Sequence, residues 1–262
     1  MGILHEIIEN KRQEVHRQKE ALPVSELERI IAENNCEKRS FKQALLNSST
    51  GIIAEFKRKS PSKGWIAKEA MAAKIVSDYA TYGATAISVL TDEHYFGGSF
   101  DDFDVARKSL NIPMLRKDFI VDSYQIYQSK VLCADIILLI AAALSPAQTA
   151  GYALRAHELG LEVLLEIHDE TELEHISENI DIVGINNRNL STFITDVRHS
   201  FELGEKIPKE YVKISESGIS DVATVKSLRQ AGFRGFLMGE TFMKTPSPGE
   251  ALRDFVEQLE KY

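Results

Sequence analysis

The stretch "IIAEFKRKSPSKG", Ile52–Gly64, joins an apolar run to two opposite charges and a basic loop rich in serine, proline and glycine. Side chains alternate between the two faces of a strand. One face of this strand is wholly apolar and consists of Ile52, Ala54 and Phe56. The other face carries Glu55 and Lys57 near the carboxyl end. The alternation predicts that the apolar face meets covering helices and that the charged face points into an enclosed site.

Similar apolar runs recur along the chain, roughly every 25 to 30 residues, with amphipathic segments between them. Eight runs are predicted as strands, at 51–57, 84–90, 112–117, 135–140, 162–167, 181–186, 211–216 and 234–239. Helical patterns lie between strands at 68–82, 123–133, 147–159, 169–178 and 221–231. Apolar strands joined by helices indicate a parallel sheet covered on its outer face. Eight such units predict an α/β protein of the closed (β/α)8 TIM barrel class.

The alternative fold is an open doubly wound sheet, which typically carries a glycine-rich dinucleotide turn after its first strand. The loop here is "RKSPSKG" and has no such glycines, which favours the barrel. Two helical patterns, at 3–20 and 24–33, precede the first strand. We therefore expect one barrel domain over residues 1–262, in which residues 1–47 form an N-terminal helical extension.

Charge and composition indicate which kinds of partner are disfavoured and which cellular compartment is expected. With 39 acidic and 31 basic residues the formal charge is -8, which disfavours nucleic-acid and membrane-surface binding. The longest apolar stretch, 134–144, is too short to span a bilayer, and the amino terminus lacks the apolar core of a signal peptide. Cys36 and Cys133 are far apart in sequence, so we expect no disulfide framework and a reducing compartment. We expect a cytoplasmic monomer.

Polar side chains recur at the carboxyl ends of five predicted strands. The same alternation argument turns six of them into the barrel, namely Glu55, Lys57, Lys117, Glu166, Asn186 and Glu216. Any one of them alone can be a buried ion pair or a side chain that reaches solvent. Together they line the end at which barrel enzymes build their sites. Clustered charges of both signs separate pKa values and favour acid–base chemistry.

Two glycine turns predict a phosphate site at the same end. "SESGI" places Ser217 and Gly218 after the seventh strand, and "MGETFM" places Gly239 and Glu240 after the eighth. Barrels commonly bind phosphate there through backbone N–H groups. Either turn alone can be an ordinary strand-to-helix connection. Lys57, Lys117 and Arg188 are predicted to point inward and attract an anionic ligand, so the expected partner is a small phosphorylated molecule.

Aromatic and imidazole side chains near these strand ends give weaker evidence for a binding site. "HYFGGSF" and "KDFI" offer Phe96 and Phe119 to a ring-bearing ligand, although loop aromatics can equally cover the top of a barrel. The seven histidines show no metal-ligand spacing. His168 follows Glu166 by two residues, which is close enough to reach the barrel mouth, but we expect it to face solvent in a loop.

The ordered strand-end motifs resemble those of indole-3-glycerol phosphate synthases over essentially the whole chain. They are "IIAEFKRKSPSKG", "ISVLTDEHYFGGS", "LRKDFIVDSYQI", "LLEIHDE", "GINNRNL", "ISESGI" and "LMGETFM". The resemblance implies closure of an indole ring in tryptophan biosynthesis. The substrate would be 1-(2-carboxyphenylamino)-1-deoxyribulose 5-phosphate, which loses CO2 and water to give indole-3-glycerol phosphate. The resemblance also implies no metal and no organic cofactor.

The same resemblance implies a role for each candidate residue. Lys117 would be the general acid and Glu166 its acid–base counterpart. Glu55 and Lys57 would form an ion pair that shapes the site, while Asn186 and Glu216 would orient the substrate. Ser60 would lie near the substrate carboxylate, and Phe96 and Phe119 would pack on its ring. The phosphate would be bound by Lys57, Arg188, Ser217, Gly218, Gly239 and the backbone of Glu240.

Two other functions remain as alternatives at this point. One is a different phosphate-handling barrel enzyme, either a sugar-phosphate isomerase or an aldolase that uses Lys117 as a Schiff-base nucleophile. The other is a non-catalytic barrel that only binds a phosphorylated ligand. Such a barrel would be expected to keep the phosphate turns and to lose acid–base groups, yet Lys117 and Glu166 are both present.

Overall fold

The computed structural model of the protein describes residues 2–189 and 192–261. Leu190, the last residue of the "GINNRNL" motif, lies outside the described residues. The strands are β1 (Ile52–Phe56), β2 (Lys59–Ser60), β3 (Gly64–Trp65), β4 (Ala86–Leu90), β5 (Met114–Lys117), β6 (Ile136–Ile140), β7 (Glu162–Ile167), β8 (Ile182–Asn186), β9 (Val212–Glu216) and β10 (Gly235–Met238). The first helices are α1 (Ile3–Ala21), α2 (Val24–Glu33), α3 (Phe41–Asn47), α4 (Ala72–Thr81), α5 (Glu93–Phe96) and α6 (Phe100–Ser109). The others are α7 (Tyr124–Val131), α8 (Pro146–Glu158), α9 (Arg198–Gly204), α10 (Val222–Gln230), α11 (Glu240–Met243) and α12 (Pro248–Glu260).

The sheet is a closed barrel of parallel strands in the order β1-β10-β9-β8-β7-β6-β5-β4. Closure is visible at Ile53, which is paired with Leu237 of β10 on one side and with Ala86 of β4 on the other. All eight predicted strands are present, so the predicted (β/α)8 barrel is confirmed. Among the described residues, no helix combines the length and apolar composition needed to cross a membrane.

The two faces of the strands separate as the alternation predicts. The outward residues Ile52, Ala54 and Phe56 belong to the apolar layer between sheet and helices. Ile53 instead packs inside the barrel with inward residues of other strands, including Leu115, Leu164 and Ile214. Polar side chains that share the inward face at the carboxyl ends are therefore surrounded by protein.

The structure differs from the predicted elements in two connections. Residues 59–65 form the antiparallel hairpin β2–β3 after β1, so the helix predicted at 68–82 begins only at Ala72. The helix predicted at 169–178 is a 3-10 helix, Glu170–His175. Its first turn is tightened by Asp169, whose carboxylate accepts hydrogen bonds from both the backbone and the hydroxyl of Thr171.

The N-terminal helices cover both ends of the barrel. α1 buries Ile7, Ile8, Lys11 and Val15 and contributes Ile3, Leu4 and Ile7 to the wall of the cavity at the carboxyl ends. α3 lies at the opposite end, where Phe41 and Leu45 pack on the inward residues Ile53 and Ile214. The amino end of the barrel is thus filled by apolar side chains.

A disulfide links the N-terminal segment to the barrel, which corrects the prediction made from the cysteines. Cys36 follows α2 and Cys133 follows α7, and the two are bonded with their Cα atoms 5.4 Å apart. Sequence separation misled the prediction because α2 packs against α7 and brings the two cysteines together. Cys133 adopts a left-handed backbone conformation with φ of 55° at the end of α7.

Removing this crosslink is expected to destabilise the chain. The bond closes a loop of 97 residues, and a disulfide of this kind typically contributes about 2–4 kcal/mol to the free energy of unfolding. Cys36→Ser should therefore lower the denaturant midpoint of the oxidised protein, while a reducing agent should bring wild type and variant to the same value. Equal midpoints without reductant would contradict a crosslink that stabilises the fold.

Candidate active site

A cavity of about 610 Å³ opens at the carboxyl ends of the barrel strands. Its wall includes most of the residues that the sequence placed there. They are Glu55, Lys57, Phe96, Lys117, Phe119, Glu166, Asn186, Arg188, Glu216, Ser217, Gly218, Gly239 and Glu240. The strand ends thus bring together charges that are up to 185 residues apart in sequence, from Glu55 to Glu240.

Lys117 lies between two carboxylates at the end of β5. Its Nζ is 3.5 Å from Glu166 Oε2 and 3.7 Å from Glu216 Oε2. Burial alone would lower the pKa of Lys117, but Glu166 and then Glu216 raise it above its ordinary value. Lys117 is therefore an ammonium ion at neutral pH, able to donate a proton or a hydrogen bond into the cavity.

The two carboxylates beside Lys117 differ in protonation. Burial would raise the pKa of Glu166, yet Lys117 holds it below its ordinary value, so Glu166 is ionised. Burial and then the charge of Glu166 raise the pKa of Glu216 to about 8. Two neighbouring carboxyl groups with separated pKa values provide one base and one neutral donor at neutral pH.

A second ion pair lies at the end of β1. Lys57 Nζ donates to Glu55 Oε1 at 2.6 Å, and both side chains are largely buried. Burial would raise the pKa of Glu55, but the surrounding cations, Lys57 first, hold it below its ordinary value. Gly239 makes room for this pair, since a Cβ at Gly239 would lie 2.7 Å from Glu55 Oε1.

The end of β8 connects the carboxylate of Glu166 to the cationic side of the cavity. Asn186 Nδ2 donates to Glu166 Oε1 at 3.2 Å, and Asn186 Oδ1 accepts from the backbone N–H of Arg188 at 3.0 Å. The Arg188 guanidinium reaches Glu240, with 3.7 Å between Nη2 and Oε2. Arg188 is thus placed beside the turn that follows β10.

The turn after β9 exposes backbone to the cavity. Ser217 and Gly218 both have left-handed backbone conformations, with φ of 67° and 76°. A Cβ at Gly218 would lie 2.4 Å from Thr195 Cγ2, so the position requires glycine for space as well as for conformation. Asn187, which the sequence did not suggest, supports the turn because its Nδ2 donates to the Ser217 carbonyl at 3.0 Å.

An apolar wall faces the charged groups. The rings of Phe96 and Phe119 have their centroids 5.8 Å apart and are tilted by 38°. Ile3, Leu4 and Ile7 of α1 add to the wall. The cavity therefore offers a flat aromatic group an apolar surface and an anion a cationic surface on different sides.

The loop after β1 is held partly outside the cavity. Ser60 is buried and does not line the cavity, whereas its neighbours Pro61, Ser62 and Lys63 do. The inward cations Lys57, Lys117 and Arg188 line the cavity as predicted. The other two loop cations bind elsewhere: Arg58 pairs with Asp102, and Lys59 donates to the carbonyl of His94.

The expectation that His168 faces solvent is wrong. Its side chain is only 12% exposed, and its Nε2 is 3.3 Å from Glu166 Oε1. The alternation that turned Glu166 inward continues for one residue past the end of β7, and that signal points to His168 as well. Within residues 2–189 and 192–261, no group of three or more histidine, cysteine, aspartate or glutamate side chains is arranged to hold a metal ion.

Solved structures share the barrel. One is described as "Structural basis of mutual activation of the tryptophan synthase a2b2 complex from a hyperthermophile, Pyrococcus furiosus". It superposes with a TM-score of 0.61 over 82% of this chain and 99% of that chain. A second tryptophan synthase structure from Pyrococcus furiosus gives a TM-score of 0.59. Both are 16% identical to this chain, so the likeness concerns the fold alone.

Sequence comparisons identify the family. A family model described as "Indole-3-glycerol phosphate synthase" matches residues 4–255. A relative of that name from Bacteroides thetaiotaomicron is 56% identical over 258 residues, covering 98% of this chain and 99% of the relative. Another from Alkaliphilus metalliredigens is 44% identical, covering 96% and 97%. The chain therefore belongs to the indole-3-glycerol phosphate synthase family.

Proposed function

We propose that this protein is an indole-3-glycerol phosphate synthase of tryptophan biosynthesis, a carboxy-lyase. It closes the indole ring of 1-(2-carboxyphenylamino)-1-deoxyribulose 5-phosphate and releases CO2 and water. The observation that carries the proposal is the position of the Lys117 ammonium between Glu166 and Glu216. An apolar wall lies on one side of these groups, and the Arg188 region with the glycine turns lies on the other.

The condensation step accounts for the charge of Lys117. The aromatic carbon that bears the carboxylate forms a bond to the carbonyl carbon of the sugar, and the carbonyl oxygen gains negative charge. Proton donation by Lys117 to this oxygen converts it to a hydroxyl group. Loss of CO2 returns the carbon–carbon bonding electrons to the ring. A positioned acid of this kind typically contributes about 100- to 10,000-fold to the rate.

Dehydration needs a second acid–base exchange. The hydroxyl group formed by condensation leaves as water once it is protonated, and a base removes a proton from the ring system. Glu166 is ionised and lies against Lys117, so it serves as the acid–base counterpart. Asn186 and neutral Glu216 orient the substrate by hydrogen bonding. The pair Glu55 and Lys57 shapes the site and keeps a cation at the cavity wall.

Substrate binding uses the two sides of the cavity. Phe96 and Phe119 pack on the anthranilate ring, and Ser60 lies in the loop nearest its carboxylate. Arg188 and Lys57 attract the phosphate, which accepts hydrogen bonds from the backbone of Ser217, Gly218, Gly239 and Glu240. The carboxylate of Glu240 reaches toward Arg188 and Lys63, which leaves its backbone as the phosphate donor.

The geometry disfavours the aldolase alternative. A Schiff-base lysine needs a lowered pKa so that its amine is free to attack a carbonyl. Lys117 has a raised pKa because two carboxylates flank it. Borohydride should therefore trap no adduct on Lys117 in the presence of a sugar phosphate.

The direct test is turnover by the purified protein. Incubation with the carboxyphenylamino substrate, without added metal or cofactor, should produce indole-3-glycerol phosphate, detected by indole fluorescence and by equimolar CO2 release. A folded sample that binds the substrate and yields neither product would overturn the proposal.

The proposal extends to assembly and compartment. We propose a single domain over residues 1–262 with the extension at 1–47, acting as a monomer in the cytoplasm. Light scattering at assay concentration tests the monomer.

The Cys36–Cys133 bond is unusual in a reducing compartment. Alkylation of thiols at cell lysis tests the compartment, because an oxidised pair would not react.

One glycine should be essential for this activity because of Glu216. A Cβ at Gly184 would lie 2.3 Å from Glu216 Oε1, so Gly184→Ala forces that carboxyl group to move. A displacement near 1 Å can lower kcat by about 100-fold. Gly151→Ala in α8 is the matched control, since a Cβ there meets nothing within 4 Å. Unchanged kcat in Gly184→Ala would show that Glu216 does not need its observed position.

A further inference from the structure

We propose that His168 is a positioning residue for the synthase reaction, acting through Glu166 and not through contact with the substrate. The inference rests on the proposed function because it assigns His168 a role in the chemistry of Glu166. His168 does not line the cavity. It lies behind Glu166, on the side of that carboxylate that faces away from Lys117.

Two carboxylates hold the imidazole between them. His168 Nε2 is 3.3 Å from Glu166 Oε1, and His168 Nδ1 is 3.4 Å from Glu172 Oε2. All three side chains are largely buried. An imidazole with a carboxylate at each nitrogen carries its charge most favourably when both nitrogens are protonated.

The backbone of His168 is fixed from two further elements. Its N–H donates to Glu172 Oε2 at 2.5 Å, which ties it to the 3-10 helix. Its carbonyl accepts from His199 Nε2 at 2.5 Å, which ties it to α9. The ring position is therefore set by three segments and does not depend on contact with a ligand.

The charged groups around His168 favour its cationic form. Glu166 faces it from β7, Glu172 from the 3-10 helix and Asp169 from the residue before that helix. His199 of α9 contacts its carbonyl, and Lys117 and Glu216 lie beyond Glu166. Burial alone would lower the pKa of His168, but Glu166 and Glu172 raise it to about 10. His168 is an imidazolium at neutral pH.

The imidazolium determines which oxygen of Glu166 faces the reaction. Oε1 accepts a hydrogen bond from the amide of Asn186 at 3.2 Å and makes an ion-pair contact with His168 at 3.3 Å. Oε2 has no hydrogen bond within the described residues and lies toward Lys117 at 3.5 Å. One oxygen is thus anchored and the other is left for proton exchange.

A fixed positive charge behind Glu166 also opposes proton transfer from Lys117 to Glu166. Transfer of the Lys117 proton to Glu166 would remove the acidic proton from the position of Lys117 and the basic charge from the position of Glu166. The imidazolium stabilises the ionised form of Glu166 and opposes that transfer. Lys117 then delivers its proton to the substrate oxygen.

The test is the pH profile of His168→Gln. Removing the cation should raise the pKa of Glu166, so the acidic limb of the kcat profile should move to higher pH by about one unit. Because Glu166 and Glu216 interact, this limb belongs to the pair. KM should stay near the wild-type value because His168 does not touch the substrate. His168→Arg, which restores a cation, should move the limb back toward wild type.

The matched control is His157→Gln. His157 also pairs with a carboxylate, at 2.8 Å from Asp181 Oδ2, but on α8 outside the site. Its profile should superimpose on that of the wild type. An unshifted limb in His168→Gln, or an equal loss of kcat at every pH, would overturn the inference.

A spectroscopic measurement separates this inference from the proposed function. In protein labelled with 15N at the histidines, the His168 ring should remain protonated on both nitrogens up to pH about 10, and Glu166→Gln should lower that transition. If the wild type shows no synthase turnover, the proposed function fails. The titration of the His168 ring still shows whether its charge depends on Glu166. A His168 ring that is neutral at pH 7 overturns the inference even if His168→Gln does not fold.

Discussion

Replacing Lys117 with methionine is expected to lower kcat by about 100- to 10,000-fold. In the proposed mechanism, the variant loses the ammonium that protonates the substrate carbonyl oxygen. It also leaves Glu166 and Glu216 without the cation that lies 3.5 and 3.7 Å from them. Without that cation the pKa of both carboxyl groups rises, which weakens the ionised form of Glu166 and adds to the loss.

Lys117→Arg separates charge from proton donation. Arginine keeps the positive charge but does not release a proton in the accessible pH range. We therefore expect substrate binding to persist and kcat to stay low. Single-turnover kinetics of product formation, with thermal unfolding to verify the fold, provide the measurement. Substantial kcat in Lys117→Arg would show that Lys117 acts only as a charge. Lys108→Met, on the exposed face of α6, serves as the control.

Replacing Lys11 with methionine is expected to lower the free energy of unfolding by about 3–5 kcal/mol, because a buried ion pair loses one partner. Lys11 is fully buried in α1, and its Nζ is 2.9 Å from Asp92 Oδ2 and 3.1 Å from Asp118 Oδ1. Asp118 directly follows Lys117 in sequence. Loss of Lys11 should therefore also raise KM, since α1 forms part of the cavity wall.

The destabilisation caused by Lys11→Met should shrink in acid. Burial would raise the pKa of Asp118, but Lys11 and then Arg116 lower it to about 2. The ordinary value is 3.8, so the stabilisation from Asp118 is present above that pH and is lost as pH falls through about 2. In Lys11→Met the folded-state pKa rises, so this acid-dependent loss is smaller, and the difference in unfolding free energy between variant and wild type should narrow as pH falls.

Lys19→Met is the matched control for Lys11→Met. Lys19 lies on the same helix and pairs with Asp122 at 2.5 Å, but both side chains are partly exposed. Exposed pairs contribute about 0–1 kcal/mol, so the variant should unfold near the wild-type midpoint. Urea unfolding at neutral and acidic pH compares the three proteins. Equal effects of the two substitutions would contradict a special role for the buried cation.

The barrel and most of the site could be predicted from the sequence because both follow from local periodicity. Strand alternation has a period of two, so the apolar face of β1 is sufficient to aim Glu55 and Lys57 inward. The same rule placed Lys117, Glu166 and Glu216. No long-range information was needed to find these side chains.

The features that were missed depend on contacts between distant segments. Lys11 continues the stripe of Ile7 and Val15 at spacings of four, which is a signal of burial, but its partners Asp92 and Asp118 follow different strands. The need for glycine at position 184 arises from the side chain of Glu216 on the neighbouring strand.

Among the described residues, the packing of α3 closes the amino end of the barrel and leaves the cavity open at the carboxyl ends of the strands. Phe41 and Leu45 fill the amino end, so the cavity is closed toward that end. Substrate, carbon dioxide and product must all pass the rim formed by α1 and the strand-end loops. Product therefore competes with substrate for the same path, and its departure must precede each new turnover.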